Sequence, residues 1–158
     1  MKIILVLLFS IFSIQLNIVN SQPLSSARVF TDADSKSNVA CKISQESTSA
    51  AIKSALRYNR IEILPTTAFG SIIFHAAITN FEVSSTSCSL GIRIQVYFDT
   101  SAQMPRSEKL VLIKGELCNR SATGYLDKNI MQERVISSLK TFVDECIAEI
   151  EDEKILKK

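Results

Sequence analysis

The part of the sequence that most constrains the fold is the segment 89–99, in which apolar and polar positions alternate. All of its even-numbered positions are apolar: Leu90, Ile92, Ile94, Val96 and Phe98. Its odd-numbered positions include Arg93, Gln95 and Tyr97. Successive side chains of a β-strand point to opposite faces of the sheet, so this alternation directs one set to a core and the other to water. The segment predicts a long strand in an antiparallel sheet with one buried face.

Two further β-type runs flank this strand, at residues 71–83 and 109–117, and only short turn-forming segments separate the three. Short connections favour pairing between neighbours in the sequence, so the three runs predict an antiparallel meander. A shorter alternating segment, residues 60–64, precedes them and is stopped by Pro65. Because proline has no backbone N–H to donate, this fourth strand is predicted to lie at an edge of the sheet.

Two segments have the apolar spacing of helices. Residues 44–58 begin with a capping hydroxyl, from Ser44 or Ser47, and continue with apolar residues on one helical face. A longer helix is predicted to begin near Asp127, a good N-cap residue. Its apolar stripe comprises Ile130, Val135, Leu139, Phe142, Val143, Cys146, Ile147 and Ile150. We therefore expect an α+β fold, an antiparallel meander of three to four strands with two helices packed on one face, in the order α-β-β-β-β-α.

Residues 1–21 are predicted to be a cleavable signal peptide. Lys2 precedes an apolar run at residues 3–16, and Val19-Asn20-Ser21 places small residues at the positions that suit cleavage before Gln22. The apolar run is too short to span a bilayer core, which takes about 20 helical residues, so we expect no stable membrane anchor after cleavage. The mature protein is expected to be exported, to the periplasm or to the extracellular space.

The 137 residues that follow, of 158, are enough for one domain, which we place at residues 41–150. Residues 22–40 are rich in Ser, Asp and Asn and are predicted to form a polar N-terminal arm that pairs briefly with a sheet edge. Residues 151–158 are predicted to be a charged tail. The full chain has a net charge of only +2 and its basic residues are scattered, so nucleic-acid binding is not expected.

The exported part contains all four cysteines, Cys41, Cys88, Cys118 and Cys146. An even number of cysteines in an oxidising compartment favours disulfides, and none of the spacings resembles a redox or zinc motif. A hairpin centred near Gln103 would pair Cys88 with Cys118, and antiparallel helices would bring Cys41 towards Cys146. The alternative for Cys146 is a reduced thiol in the core.

The Cys88–Cys118 pairing conflicts with the apolar patterns of the two strands, because it would place their apolar residues on opposite faces of the sheet. The apolar residues of the second long strand are even-numbered, whereas Val111, Ile113 and Leu117 of the third are odd-numbered. A bulge or a one-residue shift between the two strands would bring both apolar sets to one face.

No catalytic, cofactor or metal-binding motif is present in the sequence. His75 is the only histidine, and a zinc site normally takes three or four ligands, so we predict a structural role for it. No serine lies in a GxSxG elbow. Paired carboxylates can converge from distant positions, which leaves open a hydrolase that uses Glu82, Asp99 or Glu116.

Asn119-Arg120-Ser121 is a glycosylation sequon, predicted to lie in a surface loop just after the third long strand. Asn119 is expected to be modified if the source is eukaryotic, and the triplet carries no meaning if the source is bacterial.

The favoured hypothesis is a non-catalytic exported module that binds another protein through the open sheet face or an exposed strand edge. Arg93, Gln95 and Tyr97, on the outer face of the central strand, are the candidate contact residues. At the level of fold alone, the expected architecture is similar to several small bacterial envelope accessory domains, including those that assist lipopolysaccharide assembly. A secreted effector or inhibitor and a small secreted hydrolase are the alternatives.

Overall fold

The computed structural model describes residues 24–33, 35–68, 71–103 and 110–152. The predicted signal peptide and residues 153–158 of the predicted tail lie outside these ranges. In chain order the elements are β1 (Ser26–Ala33), α1 (Ser35–Ala40), α2 (Gln45–Tyr58), β2 (Glu62–Ile63), β3 (Ile72–Glu82), β4 (Ser87–Gln103), β5 (Leu110–Asp127) and α3 (Lys128–Asp152). The strands form one sheet in the order β2-β1-β3-β4-β5. The predicted α+β class is confirmed, with one more strand and one more helix than expected.

The predicted meander is present as β3, β4 and β5, which pair antiparallel in sequence order. The even-numbered residues of β4 are buried from Leu90 to Val96, as their alternation indicates. The predicted edge strand is present as β2, which is short and pairs with β1 alone among the described strands.

β1 differs from the polar arm predicted for residues 22–40. It lies inside the sheet, between β2 and β3, and is parallel to both. Its polar character comes from the alternation of its two faces, because Ala27 and Val29 are buried in the core while Arg28 faces the other way. The sheet is therefore mixed, and the element order is β-α-α-β-β-β-β-α. α1 and α2 supply the crossover that a parallel β1–β2 pair requires.

α2 begins where the sequence predicts. Ser44 is the N-cap residue, and its hydroxyl accepts a hydrogen bond of 3.1 Å from the backbone N–H of Ser47. Such a cap satisfies one of the free N–H groups of the first turn. α3 begins in a similar way, because the Asp127 carboxylate accepts a bond of 2.7 Å from the N–H of Asn129.

Both long helices pack on the same face of the sheet, as predicted. The buried face of α2 is centred on Ile52 and Leu56, and that of α3 contains Met131, Val135, Leu139, Val143, Cys146, Ile147 and Ile150. α2 contacts α3 and β1, and α3 also covers β4 and β5. Within the described residues, no helix is both long enough and apolar enough to cross a membrane.

A β-bulge at Leu117 resolves the parity conflict between β4 and β5. Val96 is opposite Cys118, whereas its neighbour Tyr97 is opposite Glu116, which leaves Leu117 as an extra residue in β5. Before the bulge, odd-numbered residues of β5 pair with even-numbered residues of β4, as Gly115 does with Phe98. After the bulge, even-numbered residues of β5 pair with even-numbered residues of β4. The expected bulge is thus confirmed.

All four cysteines form disulfides, but the predicted connectivity is wrong. The bonds join Cys41 to Cys88 and Cys118 to Cys146. Gln103 pairs with Leu110, so the β4–β5 hairpin is not centred near Gln103, and Cys88 is opposite Leu126, far along the strand from Cys118. Each cystine links the sheet to the helical layer, and Cys146 is neither reduced nor bonded to Cys41.

Candidate binding face of the sheet

The face of the sheet that points away from α2 and α3, called here the open face, carries the odd-numbered residues of β3 and β4. Strand register adds to it the even-numbered residues of β1 and, after the bulge, the odd-numbered residues of β5. Arg93, Gln95 and Tyr97 all lie on this face, as the sequence predicts. Arg93 is exposed, and Gln95 and Tyr97 are partly exposed.

Each of these three side chains contacts β5. Arg93 Nε donates to Asn119 Oδ1 at 3.2 Å, and Gln95 Nε2 donates to Glu116 Oε2 at 3.0 Å. The Lys114 ammonium lies 5.2 Å from the centre of the Tyr97 ring, within cation–π range. These contacts restrict the side chains before any partner arrives, which lowers the entropy lost on binding.

Two exposed aromatic residues occupy the far end of the open face. Phe81 on β3 and Tyr125 on β5 are 63% and 61% exposed, and in register they flank Ser89 on β4. The Tyr125 hydroxyl lies 2.6 Å from Ser87 Oγ, which fixes the ring against the sheet. Large exposed apolar side chains that lie close together mark interaction surfaces more often than isolated ones do.

The sequence interpretation did not include this aromatic pair. Phe81 falls at an odd position of the predicted strand 71–83, so its place on the outer face follows from parity alone. Tyr125 falls beyond the predicted strand 109–117, because the polar residues after Cys118 carry no apolar alternation. β5 continues through them to Asp127.

The floor between the aromatic pair and the polar group is made of small residues. Gly91 of β4 lies in register between Thr79 and Thr123, at the level between Arg93 and Ser89. A Cβ at Gly91 would lie 2.6 Å from Thr79 Oγ1, so glycine lets the threonine lie close to the sheet. The open face is therefore low at its centre and higher at both ends.

The other end of the face is closed by a buried ion pair. Arg28 Nη2 lies 2.6 Å from Asp99 Oδ1, and the side chains are only 6% and 12% exposed. Arg28 also donates to Ser71 Oγ at 2.7 Å and to the carbonyl oxygen of Thr66 at 3.3 Å. Each of the three guanidinium nitrogens thus donates a hydrogen bond, as a buried guanidinium needs partners.

His75 lies on the open face with Asp32 as its partner. Nε2 of the imidazole is 2.7 Å from Asp32 Oδ2, and the carboxylate is mostly exposed. This geometry supports the structural role predicted for His75, because the pair joins β1 to β3. Among the residues that the structure describes, no group of three or more His, Cys, Asp and Glu side chains is placed to hold a metal ion.

Of the three acidic residues of the hydrolase hypothesis, Glu82 lies far from the other two. Asp99 is held by Arg28, Glu116 accepts from Gln95, and Glu82 is paired with Lys128. In register Glu82 is opposite Cys88 and Glu116 is opposite Tyr97, nine residues apart on β4. At about 3.3 Å a residue that separation is roughly 30 Å, too far for Glu82 and Glu116 to act together on one bond. Asp99 lies two residues from Tyr97 and therefore near Glu116, but its carboxylate is bound to Arg28.

Asn119 lies inside β5 and not in the surface loop expected for the sequon. It pairs in register with Gln95 and is only partly exposed. β5 runs ten residues past the predicted end of the strand at residue 117, up to Asp127, which places the sequon mid-strand.

Comparisons with known proteins identify no family, since no family model and no curated protein match the chain. Among solved structures, a minor lipoprotein from Acinetobacter baumannii is similar, with 10% identity over 85% of this chain and 92% of that one, at a TM-score of 0.34. A PelC dodecamer from Paraburkholderia phytofirmans has 12% identity over 80% and 86%, at 0.36. A hypothetical protein from Chlamydia trachomatis has 11% identity over 84% and 97%, at 0.32. At such low TM-scores, these similarities carry no argument about the site.

Proposed function

We propose that the chain is an exported, non-catalytic module that binds another protein through the open face of its sheet. The observation that carries the proposal is the exposed pair Phe81 and Tyr125, on the same face as the ordered side chains of Arg93 and Tyr97. Aromatic and arginine side chains supply a large share of the binding energy at protein interfaces. The small residues between the two ends leave room for a convex partner surface.

Export is supported by the two disulfides together with the predicted signal peptide. Structural disulfides persist in oxidising compartments and are rare in the cytosol. Cell fractionation tests the location. Protein retained with the envelope supports an accessory module of the cell surface, whereas protein in the medium supports the secreted effector or inhibitor.

The experiment that tests the open face is affinity capture with the oxidised mature chain, using the envelope and culture-medium fractions of the producing cells. The variants are Phe81→Ala with Tyr125→Ala, and Arg93→Ala with Tyr97→Ala. The matched control is Tyr58→Ala, which removes a tyrosine that is even more exposed, at 87%, from α2 in the other layer. We expect the control to retain the partner and each open-face double variant to lose it at least about 10-fold, the change that 1.4 kcal/mol produces.

Equal recovery of the partner by the wild type and both open-face variants would contradict the proposal. Thermal unfolding of the variants is the necessary companion measurement. Since all five replaced side chains are wholly or partly exposed, their unfolding temperatures should stay close to that of the wild type.

A further inference from the structure

We infer that β5 forms a second binding site, for an extended polypeptide segment that carries an apolar side chain and, two residues away, an acidic one. This site lies on the helix side of the sheet and uses none of the side chains of the open-face proposal. Its backbone, its shape and its charge each point to the same kind of ligand.

The backbone argument comes from the sheet order. β5 is the last strand and pairs only with β4 among the described strands. An edge strand presents a row of N–H and C=O groups that can pair with an added strand, and several peptide-binding domains work in this way. At 18 residues, β5 is long for an edge strand, and its exposed segment 121–125 carries no charged side chain.

The shape argument comes from a groove of about 280 Å³ between β5 and the first half of α3. Its floor is formed by the buried side chains of Leu90 and Ile92, which lie in register with Gly124 and Ala122. The small residues of β5 leave that floor accessible from the edge, and no atom lies within 4 Å of the place where a Cβ of Gly124 would be. On the other side, Ile130 of α3 is 41% exposed.

Alternate side chains of a strand added to β5 would point to this side of the sheet. One of them would enter the groove and cover Leu90, Ile92 and Ile130. A second copy of this chain fits poorly as the added strand, because its own β5 brings the same small residues, Ala122 and Gly124, to this face. The groove therefore fits a different polypeptide better, one with a larger apolar residue at the position that faces the groove.

The charge argument rests on Arg134, an exposed residue of α3 that lines the groove. Its side chain makes no hydrogen bond or ion pair with another described residue. In contrast, Arg120 is bound by Glu145 and Glu149, and Lys128 by Glu82. A carboxylate on the incoming segment would give Arg134 a charge-assisted partner.

The test measures fluorescence anisotropy of labelled octapeptides with the oxidised mature chain. The peptides have alternating apolar and polar residues, a central Leu, and either Glu or Lys two residues from it. We expect the Glu peptides to bind more tightly than the Lys peptides. Gly124→Leu should weaken binding at least 10-fold by filling the groove, and Arg134→Glu should reverse the preference between the two peptide sets.

Thr141→Leu is the matched control, since it adds a similar side chain at an exposed position of α3 outside the groove. It should bind the peptides as the wild type does. Gly124→Leu should also unfold at an unchanged temperature, because its new side chain enters open space.

The inference is overturned if no peptide binds, or if Gly124→Leu binds as tightly as the wild type. It is also overturned if sedimentation shows a dimer that Gly124→Leu dissociates while the peptides fail to bind. Peptide binding that is lost in Phe81→Ala with Tyr125→Ala but kept in Gly124→Leu would assign the peptides to the open face. Failure of the groove is thus distinguishable from failure of the open-face proposal.

Discussion

At the scale of single residues, Arg28 has the most demanding environment of the described charged side chains. Its guanidinium is almost wholly buried, in a strand next to the sheet edge, and its charge is balanced by Asp99 at 2.6 Å. Removing two charges from water is costly, and their attraction offsets this only when the remaining donors are bonded as well. Ser71 and Thr66 accept two further bonds from Arg28.

Asp99→Ala should therefore destabilise the protein strongly, by about 3–5 kcal/mol, because it leaves the Arg28 charge buried without a partner. Urea unfolding with the disulfides intact measures the change. Glu116→Ala, on the same face but exposed, is the control and should change the unfolding free energy by less than about 1 kcal/mol.

The combination Arg28→Met with Asp99→Leu should regain much of the lost stability, since neither charge then remains in the buried site. If Asp99→Ala unfolds at the same urea concentration as Glu116→Ala, the Arg28–Asp99 pair does not hold this end of the sheet.

At the scale of elements, the sequence predicts those segments whose own pattern determines their place. The alternation in β4, the cap of α2 and the stripe of α3 are local signals, and all three elements lie where they are expected. The parity of β4 and β5 even predicts the bulge. β2 lies at the edge of the sheet, as predicted from Pro65.

The predictions that were wrong share one physical cause: the contact that determines the structure is made with a residue far away in the sequence. β1 contains a buried arginine, and its polar pattern makes sense only with Asp99, 71 residues later. The disulfide connectivity depends on where the β4–β5 hairpin turns, and the sequence does not fix that position. Tyr125 was missed because β5 extends past Cys118 along the edge of the sheet, where no apolar alternation is required.

The bulge predicts how β5 responds to deletions. Deleting Leu117 removes the extra residue and leaves a regular ladder, in which Cys118 still faces α3. Deleting Ser121 moves every earlier residue of β5 by one position, so that Cys118 turns to the open face. We expect the Cys118–Cys146 disulfide to form in the first variant and not in the second.

Peptide mapping without reduction measures this difference directly, and the Cys41–Cys88 disulfide serves as the internal reference. That bond should form in both variants, because its cysteines lie outside β5. A Cys118–Cys146 bond at wild-type yield in the Ser121 deletion would mean that the strand slips as a whole and that its register is weakly specified.

At the scale of the whole molecule, each of the two disulfides links the sheet covalently to the helical layer; we call these two bonds the clamps. Cys41–Cys88 joins the segment before α2 to the start of β4, and Cys118–Cys146 joins β5 to the second half of α3. The four sulfur positions are almost fully buried in the same core. Separation of the helical layer from the sheet therefore requires both clamps to open.

The loops that the disulfides close differ in length, with sequence separations of 47 and 28. Because loop entropy grows only with the logarithm of length, each bond should contribute about 3.5–4 kcal/mol in the chain-entropy model. Cys41→Ala with Cys88→Ala and Cys118→Ala with Cys146→Ala should thus have similar unfolding free energies. Hydrogen exchange should distinguish them, since loss of Cys118–Cys146 frees the end of α3.

Loss of both disulfides should remove roughly 7–8 kcal/mol, which is comparable to the total stability of a domain, about 5–15 kcal/mol. The chain with all four cysteines replaced by Ala, or the wild type under reduction, should then be largely unfolded at 37 °C by circular dichroism. This dependence links the fold to export, because the domain would reach full stability only where its thiols are oxidised. If the reduced protein melts within a few degrees of the oxidised one, the fold does not depend on the disulfides, and the hydrophobic core is sufficient for folding by itself.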